Sequence, residues 1–161
     1  MQVSVSDKVR KYIIAHDTMC LASSYRGRAW ASPLFYQVDS ELRLYFISDP
    51  NTRHIQNALS NSSVAVSIFD QKQAWQSIKG VQIEGHLATV SDENRLHVES
   101  LYCEKFPFTN KLLETTDNDD AKRVKEQFLA SKFYVVTPDF VRFIDNTQGF
   151  GFKEEYYLSL V

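Results

Sequence analysis

Apolar and polar positions alternate in short runs along most of this chain, and segments of helical spacing separate the runs. Ser6-Asp7 precedes Val9, Tyr12, Ile13 and Ile14, which predicts a capped helix ending at His16-Asp17. Thr18 to Ser23 reads as a mostly buried strand, Tyr25-Arg26-Gly27-Arg28 as a turn and Trp30 to Val38 as a second strand. Pro33 lies inside that run and donates no ladder hydrogen bond, so it predicts an edge or a bulge. Leu42, Leu44 and Phe46 alternate with Arg43, Tyr45 and Ile47 in a third strand ending at Ser48, and Asp39-Ser40-Glu41 makes the hairpin before it.

Asp49-Pro50-Asn51-Thr52 then turns into a short helix, Arg53 to Leu59. Val64 to Phe69 predicts a strong strand, and Ser77 to Val90 alternates through Ile78, Val81, Ile83 and Leu87, with Gly80 and Gly85 as expected bulges. Ser91-Asp92-Glu93 opens a helix to about Lys105. Pro107 to Asp120 is the least periodic stretch and includes an acidic loop, Thr116 to Asp120. Ala121 to Ser131 is helical, with Val124, Phe128 and Leu129 on one face, and Phe133–Thr137 and Phe140–Ile144 read as the last two strands. Gly149 and Gly151, two of five glycines, sit in the closing Asp145–Lys153 segment, which reads either as a ligand-site rim or as a hairpin capped by aromatics. The sum is a mainly β (α+β) chain. Closing such a sheet into a small barrel removes exposed edges.

At 161 residues the chain is expected to be a single domain, 1–161, able to bury roughly 70% of its unfolded surface. Aromatic residues make up 13%, which suits a β-rich core or an aromatic-lined pocket. A net charge of −2 provides no basic stripe for nucleic acid, and no apolar run is long enough to span a membrane. Cys20 and Cys103 lack metal or redox spacing, and no leader pattern opens the chain, so a cytoplasmic protein with reduced thiols is expected.

Chemistry concentrates at one bend. The turn from Ser48 through Thr52 into Arg53 offers hydroxyls, a guanidinium fork and a helix start, all suited to a phosphate. The plainer reading makes Thr52 an N-cap and Arg53 a surface charge. His16, His54, His86 and His97 form no HxxxH or HExxH pair, so no metal is expected. On the long strand, alternation places Lys79, Val81 and Ile83 on one face, with Gly80, Gln82 and Glu84 on the other.

The order of elements, with "YFISDPNTRH" (45–54) and "KGVQIEGHLATV" (79–90), resembles the FMN-binding split β-barrel superfamily of the pyridoxamine-phosphate oxidases. "FIDNTQGFGFK" (143–153) and "KFP" (105–107) resemble its uncharacterised YhbP-like branch. The resemblance implies a six- to seven-stranded antiparallel split β-barrel with short flanking helices. It also implies a homodimer holding FMN in grooves at the subunit interface. The phosphate would lie at Ser48, Thr52, Arg53 and His54, and the ring along Ser32, Pro33 and Leu34. Lys79 and Gln82 would add polar contacts, and the Asn146–Phe150 loop would close the groove. The vitamin-B6 oxidases carry a terminal tryptophan and arginine, whereas this chain has Tyr156-Tyr157-Leu158, so oxidation of pyridoxamine phosphate is not expected. An FMN-dependent oxidoreductase acting on a small molecule is the leading expectation. The alternatives are a non-catalytic FMN or haem-type binder or sensor, and a dimeric interaction module with an empty pocket.

Overall fold

The computed structural model describes residues 5–114 and 118–158. Helix α1 (Asp7–Ala15) leads into strands β1 (Thr18–Tyr25), β2 (Arg28–Phe35), β3 (Gln37–Val38) and β4 (Leu44–Ser48). Helix α2 (Arg53–Ser60), β5 (Ser63–Phe69) and β6 (Lys79–Thr89) follow. Three helices, α3 (Asp92–Lys105), α4 (Phe108–Glu114) and α5 (Asp119–Ala130), then separate β6 from β7 (Lys132–Asp145) and β8 (Lys153–Tyr157).

The strands form one antiparallel sheet in the order β2-β1-β5-β6-β7-β4-β3, with β8 also paired to β7. The sheet curls into an α+β split barrel. Alternation is the cause: Val64, Val66, Ile68, Val81, Ile83 and Leu87 all point inward and meet Leu21, Leu44 and Phe46 in one core. Helix α2 plugs one end of this core with Ile55 and Ala58, and α1 adds Val9 and Ile13. A second apolar cluster forms where Val98 and Tyr102 of α3, and Phe106 just beyond its end, meet Tyr45 and Phe133.

Three expectations need correction. The last two strands are a single strand, β7, which changes phase within its length. Tyr134, Val136 and Pro138 are buried in its first half, and Val141, Phe143 and Asp145 in its second. The β6–β7 register shifts at Glu84/Gly85, leaving Asp139 as the extra residue of a bulge. Gly80 carries no bulge; it pairs in register with Phe69 and Ile144. The aperiodic 107–120 stretch contains α4 and the start of α5, where the Asn118 side chain accepts the Ala121 N–H at 2.7 Å. The Thr116-Asp117 part of the expected acidic loop lies outside the described residues.

The chain's end is a hairpin. Asp145 N–H donates to Phe152 and Phe152 N–H to Gly149, while Gly149 and Gly151 take φ of 139° and 77°. Glycine adopts those angles without the Cβ clash that other residues suffer. As expected for Pro33, β2 is an edge strand; its other edge faces β4 across the split.

Candidate functional site

The split between β2 and β4 is bridged by side chains. Ser48, the last residue of β4, turns inward, and its Oγ lies 2.9 Å from His54 Nε2. Thr52 Oγ1 is 3.2 Å from the same nitrogen and donates to the Asp49 carbonyl at 2.9 Å. Across the split, Ser32 Oγ of β2 meets His54 Nδ1 at 3.3 Å. Asp49 shapes the bend, accepting the Asn51 N–H at 2.7 Å, and Gln127 of α5 donates to its other oxygen at 2.6 Å.

Burial pushes the His54 imidazole below its usual range, which favours the neutral ring. The three hydroxyls and the ring therefore satisfy one another as an uncharged staple across the split. Thr52 occupies the N-cap position of α2 without bonding a helix N–H.

Arg53 is placed differently. It points outward, and its guanidinium carbon stands 4.2 Å from the ring centroid of Trp30 on β2. Further along β2, Pro33, Leu34 and Phe35 line a depression of about 260 Å³ together with Ile47 of β4, Tyr102 of α3, Phe108 and Thr109 of α4 and Phe128 of α5. Burial raises the Tyr102 phenol to about 12, so it stays protonated at neutral pH.

The other expected site residues lie elsewhere. Lys79 faces the α1 side, 3.9 Å from the buried Asp145, which Lys8 also approaches at 3.6 Å. Asn146 is engaged within the terminal hairpin: its Nδ2 donates to Trp75 O at 2.8 Å, and its Oδ1 accepts the Gly151 N–H at 3.1 Å. Gln82 lies on the outer sheet face beside Arg142. There, Cys20, Ala22, Ala65 and Ser67 line a second depression of about 310 Å³. Cys20 pairs with Pro33 across β1 and β2, so the two depressions adjoin.

The family model described as pyridoxamine 5'-phosphate oxidase matches residues 5–144. The chain belongs to this family. Among similar proteins, the UPF0306 protein YhbP of Salmonella paratyphi C is 26% identical over 130 residues, 80% of this chain and 77% of that protein. A solved structure described as a heme binding protein from Mycobacterium smegmatis superposes with a TM-score of 0.71 at 14% identity, over 96% of this chain and 59% of the other. A FAD-binding protein of Mesorhizobium loti superposes with a TM-score of 0.61 at 18% identity, over 87% and 92%. At these identities the two structures attest the shared fold.

Within this pyridoxamine 5'-phosphate oxidase fold, Ser32, Ser48, Thr52 and His54 come together with Pro33 and Leu34 alongside, but they bond one another, and Arg53 points away from them to Trp30. Lys79, Gln82 and Asn146 do not join them. The sequence reading missed Trp30, Tyr102, Phe108 and Phe128. The helical face carrying Phe128 was visible, but nothing local placed it against β2. Among the described residues, no group of three or more His, Cys, Asp or Glu side chains is arranged to hold a metal, and no helix is long and apolar enough to cross a membrane.

Proposed function

We propose that the protein binds FMN along the β2–β4 split, with the ring on the aromatic-walled depression and the phosphate at Arg53, and that a second copy completes the site. The carrying observation is the juxtaposition of an outward guanidinium with an apolar, aromatic-walled depression on one strand, β2. Ligand pockets usually enclose about 300–1,000 Å³. At about 260 Å³ the depression is small for a ring ligand, which supports closure by a homodimer partner docked on the adjoining outer face.

The donor set favours FMN over haem. Haem iron takes a histidine, thiolate, methionine or tyrosinate ligand. Of the residues lining the depression only Tyr102 belongs to that set, burial raises its phenol and so opposes the tyrosinate, and both His54 nitrogens already face hydroxyls. Bound flavin would supply hydride and electron transfer. This chain's residues would orient the ring against Pro33 and Leu34, exclude water with Phe108 and Phe128, and neutralise phosphate charge through Arg53. The free thiols of Cys20 and Cys103 suit a reducing, cytoplasmic setting.

Titration of the purified protein with FMN tests this reading. Flavin quenching and a thermal shift are expected, with Arg53→Ala weakening affinity roughly ten- to a hundredfold. No heat, quenching or shift would remove the proposal. Anaerobic bleaching of the bound flavin by NADH or NADPH separates an oxidoreductase from a carrier or sensor.

A further inference from the structure

We infer that Trp30 is a positioning residue for Arg53 and sets a preference for phosphate-bearing ring ligands over their unphosphorylated forms; this rests on the FMN reading above. Several other arginines already hold polar or charged partners. Arg43 donates through Nε to Asp39 at 2.7 Å, and Arg142 donates to Glu155 at 2.8 Å. Arg10 donates to the Ser40 carbonyl at 2.6 Å. Arg53 pairs with no carboxylate among the described residues; its guanidinium lies over an indole instead. Stacking occupies the face of a guanidinium and leaves its in-plane N–H edges free. Those edges are the ones that fork onto a phosphate.

The stack is held on both sides. Two residues along β2 from Trp30, Ser32 bonds His54, the residue after Arg53. Trp30 pairs with Ser23 of β1, and Asn57 of α2 donates to the Ser23 hydroxyl at 3.3 Å. These two bonds tie the strands to the helix on either side of the Trp30–Arg53 pair. An arginine ordered before binding loses less side-chain freedom when it grips an anion. Trp30 is itself 41% exposed, so an anion has open access to the pair. Trp30 and Leu34 are four residues apart, about 13 Å along the strand. A flat ring with a phosphate-bearing tail can reach from one to the other.

Parallel titrations with FMN and riboflavin test the inference in the wild type, Trp30→Ala and Trp30→Phe. The wild type should prefer FMN. Trp30→Ala should weaken FMN about three- to tenfold while riboflavin stays within about twofold. Trp30→Phe should restore most of the FMN affinity. Equal loss for both ligands, or no loss for FMN, overturns the inference and leaves FMN binding intact. Failure of the wild type to bind either ligand removes both readings. The chain has two tryptophans, so Trp75→Phe leaves Trp30 as the sole indole reporter. In that variant inorganic phosphate should shift Trp30 emission, and a flat response overturns the inference even where Trp30→Ala does not fold.

Discussion

A histidine enclosed by three hydroxyls acts as a spacer, and the same burial that makes His54 a poor anion ligand makes it a pH-sensitive stabiliser. Its folded proton affinity is depressed below the unfolded value near 6.5 because the charged ring loses hydration. Below that pH the unfolded chain binds more protons than the folded one, so stability rises with pH. The His54 contribution is present above about pH 6.5 and is lost as pH falls from there through the folded value. Urea melts between pH 7 and 5 should show the midpoint falling in the wild type. A flatter profile is expected for His54→Gln, which keeps polar contacts but does not titrate. Identical slopes in the two proteins would assign the pH dependence to other groups. Asp145 and Glu154 are poor candidates in that window: burial alone would raise Asp145, but the Thr147 bonds and the Lys79 and Lys8 charges leave it lowered, and bonds from Tyr156 and Lys8 lower Glu154.

The bulge where β6 meets β7 shows how one residue sets the course of two elements. A Cβ on Gly85 would lie 2.3 Å from the Thr137 carbonyl oxygen and 3.1 Å from Pro138 Cα. Both are backbone atoms, so no side chain can swing aside. Gly85→Ala should cost about 2–3 kcal/mol by denaturant titration; a loss below about 0.5 kcal/mol would mean the bulge yields easily. The bulge also explains what alternation could reveal. Phe133–Thr137 and Phe140–Ile144 were legible as strands, but the phase change between them reads in sequence as a break. β8 escaped notice because Glu154 and Glu155 interrupt its alternation, and they are held by Lys8 and Arg142. α4 hid behind Pro107 and a short, weakly amphipathic run. At the site, Ser48, Thr52 and Arg53 were legible because a strand, a turn and a helix start follow one another in the chain. Trp30 was not, because its partner is 23 residues away and no local pattern encodes that contact.

At the scale of the whole molecule, the outer face of β1 and β5 is the feature that a single barrel leaves unexplained. Cys20 pairs with Ser67 and Ala22 with Ala65, so small side chains meet across the two strands and leave the surface low. Such a surface lets another sheet approach closely, and it adjoins the β2–β4 split through Cys20 and Pro33. A stable interface covers about 800 Å² on each partner, and bulk at its centre is poorly tolerated. Ala65 is exposed in the single chain, so Ala65→Arg has room for its side chain and should leave circular dichroism and the urea midpoint of the monomer unchanged. In the dimer the same arginine would put bulk and a desolvated charge at the interface centre, where pairing with Glu84, its neighbour on β6, offsets only part of the desolvation cost. Light scattering at micromolar concentration should therefore show a dimeric wild type and a monomeric Ala65→Arg. FMN affinity should fall when the dimer is lost, although position 65 lies outside the aromatic-walled depression. A monomeric wild type that binds FMN, or a monomeric variant that binds it as tightly as the wild type, would show that one barrel forms the whole site.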